Sequence, residues 1–295
     1  MTLRVLITGG AGALGRVLLE RLRQSPARFE ARAPARSGGS DALDVTDADR
    51  LADVLRDFRP DWVFHLAATL SEDFEAAFKV NVLAARCILE TVRDSGLKTR
   101  VILIGSAAEY GLLSPAENPV SEHRVLRPVS VYGATKAWQT SLAYKYAACG
   151  VDVLVARVFN LLGPGLSERL FIGRLRRQIH EVLCGERDRI EVGPLSATRD
   201  YVLIEEAVTQ LLLIAARGAA GEVYHVASGQ PVSMRRLLKS ELAAHGLDAA
   251  IVDEGPSAAL GRCYGAAAIF ADIRKTLDLA ESGSGPTAKA GGGEL

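Results

Sequence analysis

Hydrophobic residues along the chain alternate between short continuous runs and longer segments with helical spacing. The runs are rich in β-branched residues and predict buried parallel strands at residues 3–8, 29–33, 62–66, 101–104, 153–157 and 222–226. The helical spacing predicts helices at 14–22, 51–58, 78–92, 132–148, 169–183, 202–216 and 234–245, with Thr46 or Asp47 capping the second of them. Strands and helices in alternation predict an α/β fold, a Rossmann-type doubly wound parallel sheet covered on both faces.

This pattern weakens after Asn160, which indicates a second unit. We expect residues 1–160 to form a dinucleotide-binding domain, to which a return segment at about 200–228 also belongs. Residues 161–199 and 229–280 are expected to build a smaller C-terminal substrate lobe over the carboxyl edge of the sheet. Residues 281–295 are rich in glycine and have almost nothing to bury, so they are predicted to form a disordered tail.

The composition is that of a globular protein and excludes several classes of partner. Of 295 residues, 48% are hydrophobic and 24% are charged, and 35 basic residues balance 35 acidic ones, so we expect no nucleic-acid or membrane partner. The apolar run at the N-terminus is too short for a signal peptide or a membrane span. The cysteines lack zinc or CxxC spacing, which predicts reduced thiols, no metal site and a cytoplasmic location.

A glycine-rich turn follows the first predicted strand and opens the first helix. Its cofactor-binding candidates are Gly9, Gly12, Ala13, Leu14 and Gly15. One glycine allows a turn with positive φ, one lets the backbone approach a pyrophosphate, and one lets the helix pack on the strand. The N–H groups of the helix N-terminus attract the anion. In this position the motif predicts a dinucleotide site rather than a bare structural turn.

Residues beyond the turn indicate which dinucleotide binds. An NAD-preferring site usually carries an acid about 20 residues downstream, which bonds the ribose hydroxyls. Residues 32–37 contain no carboxylate, and Arg36 with Ser37 either holds a 2′-phosphate or is merely solvated. Asp44 and Val45, after what reads as a short third strand, either bond and cover the adenine or form a turn. We predict NADP(H) as the preferred cofactor, with NAD(H) as the alternative.

A tyrosine and a lysine lie four residues apart in the stretch Tyr132-Gly-Ala-Thr-Lys136. Side chains at this spacing share one face of a helix and can act on one bound molecule. A nearby cation favours the charged form of a phenol, so Lys136 is expected to lower the pKa of Tyr132 towards working pH. The pair predicts a proton donor for a carbonyl that does not depend on a histidine.

The chain resembles the extended short-chain dehydrogenase/reductase family. The resemblance rests on the glycine-rich turn, on the pair of Tyr132 and Lys136, and on the motifs at residues 65–68, 81, 106–111, 157–164 and 199–202. This family contains nucleotide-sugar epimerases, dehydratases and reductases, and the resemblance spans about residues 1–240. Residues 104–111, 126–130 and 192–200 are most similar to the GDP-4-keto-6-deoxy-D-mannose reductases within it. The resemblance implies an enzyme acting on a nucleotide sugar. It also implies a homodimer formed through helices 78–92 and 132–148, unless their apolar faces only pack within the core.

The resemblance assigns catalytic roles by position. Tyr132 would protonate the carbonyl oxygen of the sugar, and Lys136 would bind the nicotinamide ribose. Ser106 would hydrogen-bond the same oxygen as it becomes an alkoxide, where a donor stabilises developing charge. For Ser106 the alternative is an ordinary hydroxyl at a strand end.

Further residues are assigned to cofactor and substrate by the same resemblance. Leu66, Ala67 and Ala68 would line the cofactor channel, as residues that follow the strand histidine. Asn160 would bond the substrate near the nicotinamide. Arg199 would bind the substrate diphosphate, since a guanidinium matches phosphate oxygens, unless it forms a surface ion pair.

One departure from the family pattern discriminates between reactions. Dehydratases of the family carry an additional acid and base directly after the serine, whereas this chain has Ala107 and Ala108, which transfer no protons. Dehydration is therefore not expected, and reduction or epimerisation remains. We predict an oxidoreductase that reduces the C4 ketone of a nucleotide-linked 4-keto-6-deoxy sugar with NADPH. The alternative is a nucleotide-sugar 4-epimerase with retained NAD.

Overall fold

A computed structural model describes residues 2–38, 41–255 and 267–281. The strands in these ranges are β1 (Leu3–Thr8), β2 (Phe29–Arg32), β3 (Trp62–His65), β4 (Arg100–Ser106), β5 (Val153–Val158), β6 (Asn160–Leu162), β7 (Ile190–Val192), β8 (Thr198–Leu203), β9 (Val223–Val226), β10 (Pro231–Ser233), β11 (Val252–Glu254) and β12 (Ala268–Ile269). Six of them form one central sheet in the order β2–β1–β3–β4–β5–β9, and every pairing in it is parallel. The predicted Rossmann-type doubly wound sheet is confirmed.

The helices described are α1 (Ala13–Arg23), α2 (Ala48–Phe58), α3 (Phe74–Phe78), α4 (Ala84–Asp94), α5 (Val131–Ala148), α6 (Phe171–Leu183), α7 (Ile204–Arg217), α8 (Met234–Ala244) and α9 (Arg274–Glu281). Seven of them correspond to predicted segments, whereas α3 and α9 were not predicted. Asp47 caps α2 by accepting a hydrogen bond from Arg50 N at 3.0 Å. Ser130 caps α5 in the same way, with Gly133 N as the donor at 3.0 Å. Such caps satisfy N–H groups that have no partner within the helix.

Two hydrophobic cores lie on opposite faces of the central sheet, because successive side chains of a strand point to opposite sides. Val5 and Ile7 contribute to the core beneath α1 and α7. Leu6, between them, contributes to the core beneath α2, α4 and α5. All three are fully buried, each stabilising the fold by roughly 1.5–3 kcal/mol.

Smaller sheets cover the carboxyl end of the central one. β8 pairs with β6, β10 and β12, while β7 pairs with β11 near α6 and α8. The last helix, α9, lies elsewhere: Lys275 Nζ donates to Val223 O on β9 at 2.8 Å, and Thr276 Oγ1 to His225 O at 2.7 Å. Residues 274–280, assigned to the substrate lobe from the sequence, therefore lie against the edge of the central sheet. Of the tail predicted at 281–295, Glu281 is the last residue of α9, and residues 282–295 lie outside the described residues.

Three local predictions are wrong. Residues 41–47 form turns and no strand, because the Asp44 carboxylate accepts hydrogen bonds from N and Oγ1 of Thr46, at 2.9 and 2.8 Å. The helix predicted at 202–216 begins at Ile204, since the two residues before it still pair as part of β8. The helix predicted at 78–92 is interrupted by a π-helical turn, Lys79–Leu83.

Candidate active site

A cavity of about 470 Å³ opens at the carboxyl ends of β4 and β5. Doubly wound sheets bind their ligands in this position. The walls come from the start of α1, the loop after β3, the ends of β4 and β5, and the elements around β8. The lining residues are Leu14, Ala68, Leu70, Ile104, Gly105, Ser106, Ala107, Ala108, Gly111, Val129, Ser130, Tyr132, Val158, Phe159, Asn160, Leu161, Leu170, Phe171, Ile172, Arg199, Tyr201 and Ile269.

The glycine-rich turn lies between β1 and α1, as predicted. Gly9 has φ +73°, and a Cβ there would lie 2.6 Å from Ala67 N. At Gly15 a Cβ would lie 2.6 Å from Gly9 O. Gly12 caps α1, so Ala13 begins the helix, whose first-turn N–H groups have no partner within it. The turn thus has the close backbone packing and the free helix end that suit a pyrophosphate.

Ser106 and Tyr132 both line the cavity, and the serine side chain lies close enough to the phenol to act on its pKa. Ser106 ends β4 and caps the 3₁₀ turn Ala107–Tyr110, its Oγ accepting from Ala108 N at 3.2 Å. Tyr132 lies in the first turn of α5. The next residue, Gly133, has its Cα so close to that turn that a Cβ would lie 2.5 Å from Ala108 O. A glycine here lets the two elements approach closely, which brings Ser106 and Tyr132 to the same cavity.

Burial raises the pKa of Tyr132 to about 12, and the hydrogen bond from Ser106 acts in the opposite direction. The phenol therefore holds its proton at neutral pH, which is the form that donates to a carbonyl. The lowering of this pKa expected from Lys136 is not found. The lysine nitrogen is turned instead to Ile104 O, at 2.8 Å, and to Gln139 Oε1, at 2.9 Å.

Lys136 is almost fully buried, one turn beyond Tyr132 on α5. Burial lowers its pKa to about 8, while the negative charge of Glu109 acts in the opposite direction. Its charge in turn adds to the effect of burial on His65, and the pKa of that histidine falls to about 3. His65 is a packed strand residue whose Nδ1 lies 2.8 Å from Thr8 Oγ1.

A buried ion pair between Glu109 and Arg157 holds the backbone of Ser106 in place. Glu109 Oε2 lies 2.8 Å from Arg157 Nη2 and accepts from Thr140 Oγ1 at 2.8 Å. Glu109 Oε1 accepts from the backbone N of Ser106 at 2.7 Å. Glu109 and Arg157 are both fully buried. Glu109 therefore positions the end of β4 and is occupied by structural partners.

The candidate substrate residues also line the cavity. Asn160 Nδ2 donates to Asp200 O at 3.0 Å, and Arg199 Nη1 donates to Thr198 O at 2.8 Å. The surface pair with Asp200 considered for Arg199 is not formed, because the Asp200 carboxylate is fully buried and accepts from the backbone of 228, 229 and 271. Tyr201 also lines the cavity and was not predicted. The sequence pattern that could have found it is the alternation of side chains along a strand, which places Tyr201 on the same face of β8 as Arg199, two residues earlier.

The residues predicted to bind the adenosine part of the cofactor form a separate group on the loop after β2. Arg36 Nε donates to Asp44 Oδ2 at 3.0 Å, and both Arg36 and Ser37 are exposed. The hydrogen bonds from Thr46, then the contact with Arg36, hold the pKa of Asp44 below its ordinary value. Val45 packs against the core beneath α2. Asp44 thus forms a turn with Thr46, and its contact with the adenine stays a prediction.

The residues after β3 join the glycine turn to the cavity. Leu66 N donates to Thr8 O at 3.1 Å, Ala67 lies against Gly9, and Ala68 lines the cavity. Asn81 holds this loop, since its Oδ1 accepts from Thr69 N at 2.9 Å and its Nδ2 donates to Thr135 Oγ1 at 2.9 Å. Within the described residues, no group of histidine, cysteine, aspartate and glutamate could hold a metal ion. None of the helices described is both long and apolar enough to cross a membrane.

Comparisons with known proteins agree with this geometry. The model of the NAD dependent epimerase/dehydratase family matches residues 5–227. The GDP-6-deoxy-D-mannose reductase of Pseudomonas aeruginosa is 30% identical over 246 residues, 81% of this chain and 79% of that protein. A UDP-glucose 4-epimerase of Mycolicibacterium smegmatis is 28% identical over 255 residues, 80% of each chain. The solved structure of RMD from Pseudomonas aeruginosa, complexed with NADPH, gives a TM-score of 0.82 at 25% identity and covers 95% of this chain and 92% of that one.

A Rossmann-type sheet, a glycine turn and a paired serine and tyrosine at its carboxyl edge define an enzyme of the short-chain dehydrogenase/reductase class. The chain belongs to the NAD-dependent epimerase/dehydratase family, the extended branch of that class. The resemblance read from the sequence is thereby confirmed.

Proposed function

We propose that this enzyme reduces the C4 ketone of a nucleotide-linked 4-keto-6-deoxy sugar with NADPH. One observation carries the proposal: Ser106 and Tyr132 line the same cavity, and the two residues that follow the serine are Ala107 and Ala108. The site thus contains a proton donor and a partner for it. It lacks, at those two positions, the side chains that would remove a second proton and expel a hydroxyl.

The proposed steps follow from the protonation of the site. NADPH, when bound, supplies the hydride that adds to C4. Tyr132, protonated at neutral pH, gives its phenolic proton to the carbonyl oxygen, and Ser106 donates a hydrogen bond to the same atom. Donors placed where negative charge develops lower the barrier without reorganising in the transition state. The product is the 4-hydroxyl sugar, and the phenolate regains its proton from solvent.

Arg199 is the residue proposed to hold the substrate diphosphate. It is partly buried in the cavity wall, and burial lowers its pKa. A buried guanidinium gains from an anionic partner that matches its planar donors. Asn160, near the Ser106 side of the cavity, is proposed to bond the sugar. GDP is the proposed nucleotide, because the reductase from Pseudomonas aeruginosa carries that base in its name.

The proposed preference for NADPH depends on Arg36 and Ser37. Arg36 is exposed and held by Asp44, on the loop where a 2′-phosphate of the adenosine would lie. NADPH is also the cofactor in the solved structure of RMD. NAD(H) is the second choice for this chain.

A nucleotide-sugar 4-epimerase with retained NAD is the second candidate. The match to the epimerase of Mycolicibacterium smegmatis favours it, and the same serine, tyrosine and lysine would serve that reaction. The two candidates differ in stoichiometry. A reductase consumes one NADPH for each sugar, whereas an epimerase returns its cofactor unchanged after each turnover.

We further propose a cytoplasmic homodimer. Phe74, Phe78 and Trp138 form an aromatic cluster on α3 and α5, with ring centroids 5.5–5.9 Å apart. Phe74 and Trp138 remain 48% and 43% exposed, which is high for large apolar side chains. A second copy of this face would bury them. The cytoplasmic location is proposed because Cys87, Cys149 and Cys184 are free thiols.

The test is NADPH consumption by the pure protein with GDP-4-keto-6-deoxymannose, using wild type and Tyr132→Phe. We expect stoichiometric oxidation of NADPH by the wild type. The variant should lose about 10²–10⁴-fold in kcat, because it cannot donate the proton. Interconversion of a nucleotide sugar without net NADPH consumption would instead support the epimerase. Equal rates for the two proteins would refute both.

A further inference from the structure

Gln139 is a fully buried glutamine one turn beyond Lys136 on α5. Both ends of its amide are engaged with the catalytic region. Its Oε1 accepts from Lys136 Nζ at 2.9 Å, and its Nε2 donates to Ile104 O at 3.1 Å. Because Lys136 Nζ also donates to Ile104 O, at 2.8 Å, the three groups form a closed ring of hydrogen bonds.

This ring determines where the lysine nitrogen lies. An ammonium group has three hydrogens arranged tetrahedrally. Two of them are directed at Ile104 O and Gln139 Oε1, so the position of the nitrogen and the direction of its third hydrogen are both set. With Ile104 O alone as acceptor, the group would still rotate about a single hydrogen bond. The amide oxygen also favours the charged form of a lysine that burial would otherwise neutralise.

Attachment of α5 to the sheet does not depend on Gln139 alone. The neighbouring Thr140 donates to Glu109 Oε2 at 2.8 Å, and Glu109 in turn accepts from Ser106 N. The adjacent residue thus already ties the helix to the end of β4. What Gln139 adds is an acceptor for the lysine.

We propose that Gln139 is a positioning residue that holds the Lys136 ammonium in place and in its charged form beside the Ser106–Tyr132 site. Its catalytic meaning rests on the reductase function proposed above. The ionisable groups near Lys136 are Glu109 from the 3₁₀ turn, which raises the pKa of the lysine, and His65 from β3, on which the lysine acts, with Tyr132 one turn away on the same helix. None of them is altered by a change at Gln139.

The experiment titrates Lys136 itself in protein labelled with carbon-13 at the lysine Cε, its signal assigned by its loss in Lys136→Arg. Gln139→Leu removes both functions of the amide, and we expect it to lower the pKa of Lys136 by roughly 1–2 units. Gln139→Glu keeps an oxygen acceptor, adds a negative charge and removes the donor to Ile104 O, so it should raise that pKa. Gln178→Leu, which changes a buried glutamine on α6, is the matched control and should leave it unchanged.

Opposite shifts in the two Gln139 variants support the proposal, and the upper limb of the kcat–pH profile should move with them. If Gln139 only satisfied Ile104 O, the two variants would behave alike, and equal or absent shifts overturn the proposal. Should Gln139→Leu not fold, a raised pKa in Gln139→Glu still supports it and an unchanged pKa still overturns it. A wild type that shows these titrations but reduces no nucleotide sugar would refute the proposed function and leave the positioning role standing.

Discussion

The buried pair of Glu109 and Arg157 gives the sharpest prediction about stability. The change is Glu109→Gln, which keeps the size and shape of the side chain but removes its charge. Arg157 would then be buried without a counter-ion, because its Nε and Nη2 both donate to Glu109 Oε2, at 3.2 and 2.8 Å. The amide would also face donors with its own NH₂ group, since Ser106 N and Thr140 Oγ1 donate to the two carboxylate oxygens.

The expected cost is large because neither charge reaches water. The exposed fractions of the Glu109 and Arg157 side chains are 0% and 1%. Removing one partner of such a pair typically destabilises a protein by about 3–5 kcal/mol. In a domain of this size the melting temperature should fall by on the order of 10 °C.

Urea unfolding followed by circular dichroism measures this cost, with two comparisons. Adding Arg157→Met removes the orphaned charge, so the double variant should recover at least half of the loss. Asp253→Asn breaks an exposed pair with Arg189, which water screens, and should cost far less than Glu109→Gln. If Glu109→Gln proved no more costly than Asp253→Asn, or if the double variant were the least stable of all, the argument from burial would be wrong.

Three further predictions concern the cofactor and pH. Gly15→Ala puts a Cβ 2.6 Å from Gly9 O and should weaken NADPH binding, followed by fluorescence titration, by roughly 10-fold or more. Gly255→Ala, whose Cβ would meet no atom of the described residues within 4 Å, should leave the affinity unchanged, and equal affinities of the two variants would contradict the role of the turn. Arg36→Ala should raise KM for NADPH by roughly 10–100-fold and leave KM for NADH unchanged, whereas equal changes would exclude contact with the 2′-phosphate. Burial lowers the pKa of His65 and His225 from 6.5 to about 3, so between these values only the unfolded chain binds the protons. As the pH is lowered from 6.5, the free energy of unfolding should therefore decrease, by about 2 kcal/mol per histidine at about pH 5. His65→Asn should remove about half of this decrease, and an undiminished slope would refute the assignment.

The sequence predicted the central sheet well because its strands are buried on both faces and are therefore continuously apolar. It also placed Ser106 and Tyr132 correctly at one edge, since a residue that ends a parallel strand and one that begins the next helix face the same side of the sheet. Both inferences depend on patterns within short segments of the sequence, and these segments form the same elements in the folded protein.

The failures depend on contacts between distant residues. Lys136 was expected to act on Tyr132, yet its nitrogen is engaged by Ile104 O, 32 positions earlier in the chain. The strand expected near Asp44 is absent because a side chain there bonds its own backbone, a local competitor that hydrophobicity does not reveal. Composition likewise does not show which of many charged residues, such as Arg157, will be buried and paired.

The central sheet ends differently at its two outer strands. At β9, α9 covers the rim, and the carbonyl groups of Val223 and His225 accept from Lys275 and Thr276. At β2 no further strand follows among the described residues, so its outer backbone groups have no neighbouring strand. The alternate residues of β2 that face solvent are charged, Glu30 and Arg32, and they pair with each other at 3.2 Å. Charges on a bare outer strand oppose pairing with another molecule. The charged side chains of β2 thereby hinder edge-to-edge pairing of this strand with another molecule.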